Sequence, residues 1–180
     1  MSNFMECDSV DGKKLNLNID HHDVSNLCSE FTVKNLSTPS VIQKLAIVSW
    51  IIMLYLSYCC IFEISITVSV FVLIIVFYQV YRLVWCVKSE TLLVISFVGL
   101  QFTTTFLCGN KRSQFIPWHS VSDVIINEAI SLHRVIYYLA VIIQDGDSAR
   151  KLIPLFQYTT PRLACLEQIY RGVQTLLGIS

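Results

Sequence analysis

Hydrophobic side chains run almost unbroken from Leu45 to Tyr81, gather into short β-branched and aromatic runs between turn signals from Thr91 to Gln157, and then recur every three or four residues. Each regime predicts a different element. In the first, Glu63 is the one charge and sits at the midpoint, dividing the block into arms at 45–62 and 64–81 of 18 residues each. At about 1.5 Å rise per residue each arm just reaches across a hydrocarbon core of about 30 Å, so the block predicts a transmembrane helical hairpin over residues 41–86. A shallow re-entrant hairpin is the alternative. Lys44 flanks the first arm and Arg82 and Lys88 the second, while the Glu63 turn carries no cation, so both termini are expected in the cytosol.

The second regime predicts an antiparallel sheet. Strands are expected at Thr91–Ile95, Val98–Leu107, Gln114–Trp118, Val121–Asn127, His133–Gln144 and Lys151–Gln157, with turns at Ser96, at Cys108-Gly109-Asn110-Lys111 and at Asp145-Gly146-Asp147-Ser148. The third regime predicts an amphipathic helix over 161–177. Thr160 is its N-cap, Pro161 its first position, and Leu163, Leu166, Tyr170, Val173 and Leu177 its apolar stripe. Antiparallel strands closed by one helix suggest a small bent sheet of pleckstrin-homology-like design over 87–180. Residues 1–40 are polar; Leu15, Leu17 and Ile19 alternate and fit one strand, but the segment as a whole reads as flexible. The fold class expected is therefore an α+β membrane protein.

Composition narrows the chemistry. The chain is 54% hydrophobic and 14% charged with a mean hydropathy of +0.59, too apolar for an ordinary soluble domain. Its formal charge of zero combines an acidic N-terminal segment with a mildly basic C-terminal one, too weak for nucleic acid. Cys7, Cys28, Cys59, Cys60, Cys86, Cys108 and Cys165 form no CxxC pair and read as reduced thiols, with Cys86 a juxtamembrane palmitoylation candidate. Asn35-Leu36-Ser37 is a chance-length sequon, expected to stay bare on the cytosolic side. His21, His22, Asp23 and Cys28 lack a second cluster, so no metal is expected.

Catalysis has weak support. Asp145-Gly146-Asp147 has the D-x-D form with which glycosyltransferases hold a metal and a sugar nucleotide, yet turn chemistry on every residue favours a plain hairpin loop. His119 has no nucleophile and orienting acid that the sequence can assign to it. Glycine-rich phosphate loops are absent and no cofactor is implied.

The stretches Thr91-Leu-Leu-Val-Ile95, Gly99-Leu-Gln101 with Thr103 to Thr105, Asp123-Val-Ile-Ile-Asn-Glu-Ala-Ile130, Val135-Ile-Tyr-Tyr-Leu139, Pro154-Leu-Phe-Gln157, Pro161-Arg-Leu163 and Cys165-Leu166 to Tyr170-Arg171 resemble the PIG-H family, the H subunits of phosphatidylinositol N-acetylglucosaminyltransferase. The resemblance covers about residues 88 to 177. Ala164 departs from it where an acidic residue is expected. What the resemblance implies is a noncatalytic accessory subunit in the endoplasmic reticulum membrane. Its complex transfers N-acetylglucosamine from UDP-GlcNAc to phosphatidylinositol, the first step of GPI-anchor biosynthesis. The implied partners are the other membrane subunits of that complex, above all its catalytic glycosyltransferase subunit. Within the matching motifs Asn127, Glu128, Arg162, Tyr170 and Arg171 are the candidate docking contacts, although Asn127 and Glu128 could simply close a turn and Arg162 cap the helix. A different class stays open: a membrane-anchored module in which Lys111 and Arg112, with Arg134, bind inositol-lipid headgroups. An autonomous enzyme depending on Asp147 is the third.

Overall fold

A computed structural model of the chain describes residues 2–21, 28–36, 38–61, 66–131, 134–144 and 150–177. Six strands form one antiparallel sheet in chain order: β1 (Ser2–Asp8), β2 (Lys14–His21), β3 (Cys28–Asn35), β4 (Val87–Ile95), β5 (Gly99–Phe106) and β6 (Lys111–Pro117). Two helices, α1 (Thr38–Ile61) and α2 (Ile66–Val84), intervene between β3 and β4 without separating them. After a 3-10 turn at Trp118–Ser120, β7 (Val121–Ser131), β8 (Arg134–Ile143) and β9 (Lys151–Pro154) make a second antiparallel sheet, and α3 (Leu163–Leu177) follows.

Period-two alternation sends one face of each strand inward. Leu15 and Leu17 of β2, Phe31 and Val33 of β3, Leu92 and Val94 of β4, Leu100 of β5 and Ile116 of β6 share a core with Val124, Leu139 and Val141 of the second sheet. Cys165, Leu166, Ile169 and Val173 of α3 complete it. The packing is close at α3: a Cβ on Gly172 would lie 2.6 Å from Cζ of Phe31.

The expected transmembrane helical hairpin is corrected. Helices do occupy the apolar block, but among the described residues no helix is long and apolar enough to cross a membrane. With α1 ending at Ile61 and α2 beginning at Ile66, the apolar runs inside them start at Leu45 and end at Tyr81. Those runs rise only about 25 Å each at 1.5 Å per residue, short of a hydrocarbon core of about 30 Å. Glu63, the supposed turn, lies outside the described residues, as do His22, Asp23, Ser37, His133, Gly178 and the turn Asp145 to Ser148.

The N-terminal segment differs too. Instead of one strand in a flexible stretch it supplies β1, β2 and β3, and β3 pairs with β4 in the register Phe31↔Leu92 and Thr32↔Thr91. The small β domain expected over 87–180 is thus part of a larger two-sheet structure. The helix starts later than expected because its entry is held elsewhere. Pro161 bridges Ser9, the Arg162 N–H donates to the Asp8 carbonyl at 3.1 Å, and Thr160 has φ 39°. The first helical turn closes instead on the Arg162 carbonyl, which accepts from the Cys165 and Leu166 N–H groups. The buried stripe is correspondingly rotated onto Cys165 and Ile169, leaving Leu163 and Tyr170 half-buried.

Candidate functional site

Across β4, β5 and β6 the inward-facing residues line up in three cross-strand rows that grow steadily more polar. Val94–Leu100–Ile116 is wholly apolar, Leu92–Phe102–Gln114 is mixed, and Glu90–Thr104–Arg112 is polar. Phe102 and Gln114 of the second row and the whole of the third line a cavity of about 170 Å³, bounded on the opposite wall by Ile153, Pro154, Gln157 and Tyr158. The loop that makes this wall leaves β9 because Phe156 adopts φ 55°, a left-handed conformation that a bulky residue holds only when its surroundings impose it. Its ring is fully buried, edge-on to Phe102 at 5.7 Å between centroids. Strain of this kind gathers at ligand sites and switch regions.

Glu90 is the floor of the cavity and has no exposed surface. Its Oε2 accepts from the Thr159 hydroxyl at 2.6 Å and from the Thr159 N–H at 3.0 Å, which ties the loop to β4. Oε1 is equally buried and has no hydrogen-bond partner among the described residues. Burial pushes the carboxyl up from its ordinary value of 4.5, while the bonds from Thr159 act in the opposite direction. A carboxyl group that lines a cavity with one oxygen engaged and the other unpartnered among the described residues can accept when ionised or donate when protonated.

The residues singled out in the sequence do not converge. Asn127 and Glu128 lie within β7 rather than at a turn; Asn127 Nδ2 donates to the Tyr138 hydroxyl at 3.0 Å and its Oδ1 accepts the Glu128 N–H at 2.9 Å. Glu128 itself is exposed. Arg162 is an exposed side chain just before α3, its carbonyl closing the first helical turn, and Arg171 is exposed along the helix. The Tyr170 hydroxyl accepts from the Gln174 side chain. Lys111 and Arg112 are neighbours in β6 and so project to opposite faces; Arg112 joins the cavity. Arg134 lies 3.7 Å from Asp11, both largely exposed. His119 is exposed in the 3-10 turn, and the His21 ring pairs with the Ser29 hydroxyl at 2.8 Å.

Burial, and then the neighbouring Cys7, push the Cys165 thiol well above its usual range, which keeps it protonated and inert. Cys108 is exposed on the β5–β6 turn.

The segment that builds most of this arrangement is similar to known proteins. Residues 91–157 match the family model described as "GPI-GlcNAc transferase complex, PIG-H component", a span that runs from β4 through β9 to Gln157 at the cavity wall. The PIG-H resemblance is shown for that segment. Over 95 residues the chain is 40% identical to the H subunit of phosphatidylinositol N-acetylglucosaminyltransferase of Bos taurus. It is 38% identical over the same length to the proteins of that name in Homo sapiens and Mus musculus. In each case the alignment takes in 51% of this chain and 50% of the relative, so the chain spans about half the length of the curated relatives it matches. No solved structure matches the chain.

Proposed function

We propose that the chain is a noncatalytic accessory subunit of the complex that transfers N-acetylglucosamine from UDP-GlcNAc to phosphatidylinositol, opening GPI-anchor biosynthesis. The observation that carries this reading is the continuity of the matched segment over consecutive strands. Residues 91–157 supply β5 through β9 entire, part of β4 and part of the common core, so the similarity follows a run of neighbouring elements rather than a scattered motif. The relatives that share it are named as the H subunit of that transferase. In this reading the glycosyltransferase subunit docks on the exposed polar groups of β7, of α3 and of the residue before it, namely Glu128, Arg171 and Arg162, with Asn127 and Tyr170 behind them. The complex works at the endoplasmic reticulum.

Deleting α3 would not test this, because Cys165, Leu166, Ile169 and Val173 belong to the core. Charge reversal at the surface does. Affinity purification of the full chain from cells is expected to bring down the glycosyltransferase and N-acetylglucosaminyl-phosphatidylinositol synthesis. The Glu128→Lys, Arg162→Glu, Arg171→Glu triple variant is expected to lose at least tenfold of both while keeping its Tm. Purification of the unaltered chain without a glycosyltransferase would overturn the proposal. The Lys111 and Arg112 headgroup alternative has less behind it, since the two side chains point to opposite faces of β6.

A further inference from the structure

We propose that the cavity between β4–β6 and the 155–160 loop binds a single cyclic polyol ring, one hydroxyl of which pairs with Glu90 Oε1. The proposal stands apart from the docking reading. Its first support is the orphaned oxygen: Glu90 is fully buried, and Oε1 lacks a partner among the described residues while Oε2 is taken by Thr159. Native structures satisfy nearly all such atoms. Its second support is the graded row. A core face of Val94, Leu100 and Ile116 is followed by Gln114, Thr104 and Arg112 on the same side of the same strands; Thr104 is buried beside Glu90, and the exposed Gln114 and Arg112 set polar groups along the open side of the cavity.

Size and chemistry select the ligand class. A closed cavity of about 150 Å³ accepts benzene, so about 170 Å³ suits one six-membered ring with its substituents directed toward the open side. Gln114 and Gln157 each offer a donor and an acceptor, Arg112 offers donors at the mouth, and Phe102, Phe106 and Tyr158 give apolar surface for C–H groups. Hydroxyl groups donate and accept, so they satisfy Glu90 Oε1 whether the carboxyl is ionised or protonated. A cationic side chain is disfavoured, because Arg112 lines the same space. The ring could arrive free or as a lipid headgroup, and the hydrogen-bonding chemistry is the same.

Saturation-transfer NMR of the full chain with myo-inositol and with glucose, together with flotation on vesicles of phosphatidylinositol in phosphatidylcholine, tests the site. Saturable binding of a free ring, or flotation dependent on phosphatidylinositol, is expected. Gln114→Ala, an exposed change that leaves the fold intact, is expected to weaken it about tenfold or more, as is Glu90→Gln; Lys111→Ala, on the opposite face, leaves it unchanged. Free-ring binding assigns a soluble polyol, and vesicle binding alone assigns the headgroup. Absence of binding by all three probes, or binding that Gln114→Ala leaves intact, would overturn the inference. Copurification of the glycosyltransferase is read separately, so either proposal can fail while the other holds.

Discussion

Glu90 couples proton uptake to stability. Burial raises its carboxyl above 4.5 in the folded chain, so between that value and the folded one the native state holds more protons than the unfolded state. Stability from this group is fully present below the unfolded value and is lost as pH rises through the folded one. Thermal melts of the unaltered chain are therefore expected to fall as pH climbs above 4.5, and Glu90→Gln to flatten that slope. Thr159→Val removes the 2.6 Å hydroxyl bond to a buried acceptor and is expected to cost about 1–3 kcal/mol in denaturant unfolding. Gly172 is a different case. Alanine there would improve helix propensity by up to about 1 kcal/mol, but its Cβ, 2.6 Å from Phe31 Cζ, overpacks the core by about 1–3 kcal/mol. A lowered denaturation midpoint for Gly172→Ala is the expected outcome.

Among the elements, those with local punctuation were legible from the sequence. The β5–β6 hairpin follows from the turn at Gly109, whose φ of 90° suits glycine, and β4, β5, β7 and β8 lie close to the runs of β-branched and aromatic residues. Glu90 escaped by one position, since the run beginning at Thr91 hides that β4 extends back to Val87. An acidic residue in phase with Leu92 and Val94 was the available signal. Among β1–β3, the Asp11-Gly12 turn and the alternation of Leu15, Leu17 and Ile19 mark a hairpin, with Gly12 at φ 75°. Nothing local announces that β3 pairs with a strand beyond two helices. Similarly, three-and-four spacing gave α3, but its rotation depends on Ser9 and Asp8 holding the helix entry, a contact far away in sequence. Ile169 shows what that rotation buries: Ile169→Ala is expected to cost about 2–5 kcal/mol, whereas Leu163→Ala, half-buried, costs less, a ranking that chemical denaturation of both variants checks.

At the scale of the whole molecule, α1 and α2 are an insertion into a continuous antiparallel meander. Lys34 pairs with Ser89, so the end of β3 and the start of β4 lie side by side as in a hairpin. Replacing residues 36–86 by a short glycine-containing turn is expected to preserve the six-stranded sheet, with unchanged amide protection in β2–β5 by hydrogen exchange. Loss of protection throughout the sheet would show instead that the helices hold it together.

The same pairing sets a timetable for synthesis. The ribosome completes β3 about fifty residues before β4 begins. At roughly 5–20 residues per second the N-terminal strands wait several seconds beside an unzipped edge. During that interval the newborn chain exposes a template for any stray strand. Exposure of that edge is thereby confined to one short, definable stage of translation.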